Sequence, residues 1–283
     1  LTARSDGLPR EPAARDLLLP PAGEEAAHTA WQDFWDRLPA YADDRDRLDR
    51  EGTSRLSAHL KLGALHPRTL LAGLGDDPGS EAFRRELAWR EFYAAVLTAE
   101  PRSARDYLHP RLAALPHASG TTLERRLRAW TRGETGYPAV DAGMRQLLAE
   151  GWLPNRVRMI VASFLVKDLH VEWTHGARHF MRHLVDGDLA SNQHNWQWVA
   201  GCGTDAAPYV RIFNPVAQGL RFDPNGDYVR RWVPELAGVD GPAVHEPWDL
   251  PGGPPAGYPP PIVDHATERA AALAAYEALR STR

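Results

Sequence analysis

Cysteine is almost absent: Cys202 is the one thiol in 283 residues. That excludes an internal disulfide framework, an all-cysteine metal site and a cysteine-held iron–sulfur cluster. No apolar run approaches the length of a membrane span and no secretory signal opens the chain, so we expect no membrane partner and a cytoplasmic location. A strong positive charge is missing too. Against 37 Asp and Glu stand 33 Lys and Arg, a net charge of −4, so any contact with nucleic acid has to come from local basic groups and not from the overall field. Arg45, Arg47, Arg50, Arg90, Arg156 and Arg158 are candidates; a scatter of solvated surface arginines is the alternative. No shift in composition splits the chain, and strand-like alternation is absent throughout, which leaves one all-α domain.

The apolar residues that are present recur at helical spacing. Residues 1–23, rich in Pro, Gly and charge, read as the end of an interdomain linker, and residues 24–283 as the domain. From Glu24 a helix is expected through Ala27, Trp31, Phe34, Trp35 and Leu38. Thr53 and Ser54 stand where another helix can begin, and free N–H groups there suit a phosphate, although a plain helix cap serves equally well. Gly79 to Glu100 carries two stripes. Ala88, Phe92, Ala95, Val96 and Ala99 read as core, and Glu86, Trp89, Arg90 and Tyr93 as a face too aromatic for solvent.

Further helices follow. Thr121 to Glu124 reads as a capping box, Pro138 opens a helix that stops at Gly151, and Pro154 opens one to about His170, with Asn155 and Met159 on one side. Another helix follows Thr267. His175, His179 and His183 recur every four residues, which admits a metal-binding face or a merely half-exposed one.

The densest polar and aromatic stretch is Asp186-Gly-Asp-Leu-Ala-Ser-Asn192-Gln-His-Asn-Trp196-Gln-Trp198, followed by Gly203 to Tyr209 and by Arg211-Ile-Phe-Asn-Pro215. Two acids, carboxamides and two indoles so close together suit a large, flat, hydrogen-bonding ligand; a polar loop anchored by two tryptophans is the plainer reading. Together with Thr53-Ser-Arg-Leu-Ser57, Glu86-Leu-Ala-Trp-Arg-Glu-Phe-Tyr93, Thr135-Gly-Tyr-Pro-Ala-Val-Asp141 and Asn155-Arg-Val-Arg-Met159, it resembles, in order and spacing, the flavin-binding domain of DNA photolyases and cryptochromes. The likeness runs from about Leu19 to the C-terminus and is nearest to class I photolyases for cyclobutane pyrimidine dimers.

The resemblance implies an all-α, FAD-binding C-terminal domain without the N-terminal α/β domain that carries the antenna pigment. That fits a chain opening at Leu1 with no initiator Met, for which we expect a segment upstream. It implies that reduced FAD is the active form, that DNA containing cyclobutane dimers is the partner, and that the protein is a monomer. Cofactor contacts would come from Tyr41, Thr53, Ser54, Arg55, Leu56, Ser57, Phe83, Arg90, Asn155, Arg158, Asp186, Gly187, Asp188 and Asn192. Contacts to DNA would come from Arg45, Glu86, Trp89, Arg90, Tyr93, Asn155, Arg156, Trp198 and Gln218.

In this reading Glu86 bonds the dimer, Trp89 and Trp198 clamp it, Met159 marks a cyclobutane-dimer enzyme, and Asn192 tunes the flavin as a neutral acceptor. Trp196 and Trp173 match the first two tryptophans of a chain that feeds electrons to oxidised flavin. The third is replaced: the position ten residues before Trp130 is Gly120, and Tyr107 and Tyr137 are the nearest tyrosines in sequence. The alternatives are a cryptochrome-like photoreceptor without repair and, on the histidine stripe alone, a helical metal-binding or interaction protein.

Overall fold

Prolines and glycines set most of the helix boundaries. In the computed structural model, which describes residues 17–205 and 210–281, proline occupies the first turn of the helices beginning at Pro67, Pro78, Pro138 and Pro215, where its missing N–H costs nothing. Left-handed Gly63, Gly133, Gly151 and Gly201 close four helices, the one from Pro138 among them. In chain order the α-helices are α1 (Glu24–Trp35), α2 (Tyr41–Asp44), α3 (Ser57–Leu62), α4 (Pro67–Gly73), α5 (Pro78–Ala99), α6 (Gly120–Arg132), α7 (Pro138–Glu150), α8 (Asn155–Ser163), α9 (Trp173–His183), α10 (Leu189–Ala200), α11 (Pro215–Phe222), α12 (Asp227–Trp232) and α13 (His265–Ser281). There is no strand among the described residues, so the all-α expectation holds. Residues 1–16 of the expected linker, and Tyr209, lie outside them.

Two apolar clusters organise these helices. The smaller gathers Trp31, Phe34, Tyr41, Leu56, Leu70 and Phe83 from α1 to α5. The larger gathers Trp130, Met144, Ile160, Phe164, Trp173, Phe180 and Trp196 from α6 to α10, with Tyr228 and Val229 of α12. The Thr135 to Asp141 motif belongs to this second core. Asp141, fully buried, accepts from the N–H and hydroxyl of Thr135, from Gly136 N and from Tyr258 Oη, which fixes the turn into α7.

Several local expectations need correction. On α5 the Ala88, Phe92, Ala95, Val96 and Ala99 stripe faces outward, with Phe92 42% exposed, while Ala82, Phe83, Leu87 and Tyr93 are the buried residues. Both faces carry apolar groups, and the bulkier set takes the core because its burial removes more area from water. Trp35 likewise points out, 45% exposed, its ring edge-on to Trp31. No helix begins at Thr53. The chain there is a loop in which Ser54 Oγ accepts from Leu56 N and Arg55 adopts a φ of 53°, and α3 begins at Ser57. The expected capping box is displaced as well: Ser119 is the N-cap of α6, and its side chain makes no capping hydrogen bond. The helix after Pro154 does run nearly to His170 as expected, its last turn, Phe164–Asp168, being π-helical.

Candidate functional site

A cleft of about 430 Å3 opens between the two apolar clusters, within the size range of ligand pockets. One wall is the loop from Thr53 to Ser57 with Tyr41 and Phe83; the other is α8, the Asp186–Asp188 turn and α10. Segments up to about 150 residues apart in sequence therefore meet here, as the motif spacing required.

The floor is polar and internally pinned. Asp186, its side chain 2% exposed, accepts from Arg158 Nη2 at 2.7 Å, and Arg158 Nε donates to Leu153 O at 2.9 Å. The other oxygen, Asp186 Oδ1, is buried without a protein partner, which leaves a strong acceptor for a donor of a bound ligand. Asp188 caps α10 by accepting from Ser191 N at 2.9 Å, and its other oxygen lies 4.0 Å from Lys61 Nζ.

One turn into α10, Asn192 donates through Nδ2 to Ala177 O at 3.1 Å and to Gln193 Oε1 at 2.8 Å. A backbone carbonyl only accepts, so the amide nitrogen must face it, and both its hydrogens are then used. The side-chain oxygen of Asn192 is what remains for the cleft, a neutral acceptor. Below it Trp196 is wedged against Phe180 and Trp130, with ring centroids 5.0 and 6.0 Å away. Gly176 on α9 makes that insertion possible, because a Cβ there would overlap the outer edge of the Trp196 ring.

The rim is aromatic and charged. Trp89, 46% exposed, stacks on Tyr93 at 5.7 Å, and Tyr93 stacks in turn on buried His194 at 5.9 Å. Burial raises the Tyr93 phenol to about 12 and depresses His194, so both are neutral supports. Opposite them Trp198 lies beneath the Arg211 guanidinium at 4.9 Å. The candidate cations are all paired: Arg45 with Glu86, Arg47 with Asp49, Arg50 with Asp44, Arg90 with Glu91, Arg156 with Asp46 and Arg158 with Asp186.

Most of the sequence-derived site residues converge. Tyr41, Thr53, Ser54, Arg55, Leu56, Ser57 and Phe83 line one wall; Asn155, Arg158, Met159, Asp186, Asp188, Asn192 and Trp196 line the other, with Arg45, Glu86, Trp89, Arg90, Tyr93 and Trp198 towards the mouth. Four do not. Gly187 sits behind the wall, where a Cβ would meet Met181 and Leu184 O. Trp173 opens α9 and is buried in the larger apolar cluster. Arg156 lies over the ring of Phe222 at 4.4 Å, outside the cleft, and Gln218 is on α11.

Lys61 and Trp152 belong to the lining and were not singled out from sequence. Trp152 donates to Ser57 Oγ at 3.2 Å and carries the Arg55 guanidinium on its ring at 4.4 Å, so it braces the Thr53 to Ser57 loop. Its position two residues before the proline that precedes α8 was the only signal. The histidine stripe is packing instead of a metal face. The His179 and His183 rings lie 4.4 Å apart, His179 abuts Trp130, and burial lowers its pKa to about 4. Among the described residues no group of three His, Cys, Asp or Glu is placed to hold a metal ion.

Comparison with known proteins gives the same answer as the geometry. Residues 83–278 match the family described as the FAD binding domain of DNA photolyase. The deoxyribodipyrimidine photo-lyase of Streptomyces griseus is 48% identical over 94% of this chain and 59% of its own length, and that of Escherichia coli 46% identical over 92% and 57%. Among solved structures, a class III photolyase from Agrobacterium tumefaciens superposes with a TM-score of 0.84 at 44% identity, covering 92% of this chain and 56% of that one. A cryptochrome from Synechocystis superposes with a TM-score of 0.79 at 32% identity, covering 93% and 56%. The chain thus spans less than three-fifths of the length of each of these relatives. A cleft built from four separated motifs, a matching family profile over most of the chain and photolyase relatives at 44–48% identity lead to one conclusion: this chain belongs to the family of the FAD-binding domain of DNA photolyases.

Proposed function

We propose that the chain is the cofactor- and lesion-binding part of a DNA photolyase that uses light to split cyclobutane pyrimidine dimers, and that it is of class I. The observation that carries this reading is the union, in one cleft, of a pinned polar floor and an exposed aromatic rim. The cyclobutane-dimer substrate rests on Met159, which lines the cleft four residues from Asn155 and takes its amide at 3.6 Å.

The residues suit FAD. The unpartnered Asp186 Oδ1 offers an acceptor to a ligand donor, and the Thr53 to Ser57 loop with Lys61 offers hydroxyls, backbone N–H groups and a cation to a pyrophosphate. When bound, reduced and photoexcited, FAD would supply the electron that opens the dimer. The protein's part is to hold, orient and exclude. Asn192 Oδ1 would offer an acceptor to a protonated ring nitrogen without bringing a second negative charge beside it. Trp89 receives the extruded bases on its open face. Stacking of about 1–3 kcal/mol per base offsets the few kcal/mol of unstacking, and a dimer, already poorly stacked, is cheaper to extrude than intact thymines.

The test is repair of a dimer-containing oligonucleotide by the FAD-reconstituted chain. Loss of dimers under blue light and not in the dark supports the reading. Bound flavin with no loss of dimers would instead place the chain with the photoreceptors of the family.

A further inference from the structure

The end of α7 grips the loop from Thr53 to Ser57 from outside the cleft. Glu150, the last residue of α7, is 4% exposed and is not among the residues that line the cleft, yet its Oε2 accepts from Arg55 Nη1 at 3.3 Å. Two residues on, past the left-handed Gly151, the Trp152 ring carries the Arg55 guanidinium at 4.4 Å and its N–H reaches Ser57 Oγ at 3.2 Å. The loop is thus held twice at Arg55 and once at Ser57.

Glu150 is itself fixed from the core. Gln146, one turn earlier and also buried, donates through Nε2 to Glu150 Oε2 at 2.9 Å and accepts through Oε1 from the Tyr228 phenol at 2.7 Å. A carboxylate only accepts, so the amide nitrogen must face it. Burial, and after it the Glu150 charge, raise the Tyr228 phenol well above its ordinary range, which keeps it a donor to that amide. Tyr228 belongs to α12, where Asp223 accepts from its backbone N–H at 3.0 Å. A directed run of bonds therefore leads from α12 through α7 to the loop. It ends on a residue that needs holding: Arg55 has a φ of 53°, a conformation that a residue other than glycine keeps only where its surroundings over-determine it.

From this arrangement we propose that Glu150 is a positioning residue for the cofactor loop: by clamping Arg55 it holds residues 53–57 in the shape that receives the pyrophosphate, and Arg55 is the bolt of that loop instead of a direct phosphate ligand. The proposal rests on the flavin reading above. The Arg55 guanidinium is already shared between a carboxylate and an indole face, and a phosphate would have to draw it off a buried charge. Arg231, the other cation near Glu150, stands 3.9 Å away and is 56% exposed, so it is a poor substitute. What the wall still offers to phosphate is the loop's hydroxyls and N–H groups together with Lys61, which is 4.0 Å from Asp188.

The test is a double-mutant cycle read on the rate at which FAD leaves the reconstituted chain, with amide exchange of the flavin-free chain measured alongside. Glu150→Gln and Arg55→Met should each speed release by about tenfold, and the double variant by about tenfold as well, because both changes undo the same clamp. The Leu56 amide, which donates to Ser54 Oγ, should exchange about tenfold faster in either variant, while amides within α8 keep the parental rate. A general loss of stability would move both sets. Effects that multiply in the double variant, or an Arg55→Met chain that loses FAD while Glu150→Gln holds it as the parent does, make Arg55 a direct phosphate ligand and overturn the proposal. Exchange that quickens throughout the fold overturns it too. A parent that binds no flavin overturns both readings, whereas the expected coupling in a chain that repairs no dimers sinks the repair reading and supports this one.

Discussion

The floor and the rim of the cleft are both built from ion pairs and hydrogen bonds, yet the two are of different kinds. At the floor, Asp186 is buried and its cation, Arg158, is held a second time by Leu153 O. At the rim, Arg45 pairs with a Glu86 that is 30% exposed, and Arg90 pairs with a Glu91 that is 66% exposed. A buried pair cannot lose a member without stranding a charge, whereas exposed pairs contribute about 0–1 kcal/mol and are easily exchanged. The difference assigns the two regions different work. In the function proposed above, the floor would be a fixed cradle for the ligand, and the rim arginines would exchange their carboxylate partners for a phosphate backbone.

The largest effect should come from breaking the floor. Arg158→Ala leaves the Asp186 carboxylate buried and unpaired, which costs about 3–5 kcal/mol. Denaturant unfolding should show that loss together with loss of bound flavin; unchanged stability would mean that the pair is no more special than those at the rim.

A smaller effect is expected from Trp89→Ala at the rim. Affinity for dimer-containing DNA should fall by about 1–3 kcal/mol with flavin content intact, as measured by fluorescence anisotropy. An equal fall for undamaged DNA would show that Trp89 does not read the lesion.

The smallest effects concern exchange of partners. Arg156→Ala should weaken damaged and undamaged DNA alike and reduce the log–log salt slope by about 0.9. Asp46→Asn, which releases Arg156 from its 2.7 Å pair, should tighten both slightly, by no more than about 1 kcal/mol. An Asp46→Asn variant with weaker binding would contradict the exchange.

Much of this contrast was legible in the sequence. The Asp186 to Trp198 run, the Asn155 to Met159 turn of helix and the Thr53 to Ser57 loop were each recognisable by residue type and spacing, and the fold brings them to one cleft. The faces of α5 were not legible, because alanines and a phenylalanine at helical spacing look like core, while Phe83, Leu87 and Tyr93 are large enough to displace them from it. The start of α3 was misplaced because a Ser54 turn and the positive φ of Arg55 hold the chain out of a helix until Ser57. Nor could spacing reveal that every candidate arginine has an acid against it, or that Tyr107 meets Trp173, since those contacts are set by tertiary packing across separate segments.

One salt titration tests the division most directly. The FAD-loaded chain bound to a labelled dimer-containing duplex is taken from about 50 to 200 mM salt while DNA anisotropy and flavin retention are read together. With about four of the paired arginines at and around the rim exchanging onto phosphates, DNA affinity should fall by about a hundredfold while the flavin stays bound. Flavin released in step with the DNA, or DNA binding indifferent to salt, would contradict a fixed floor beneath an exchangeable rim.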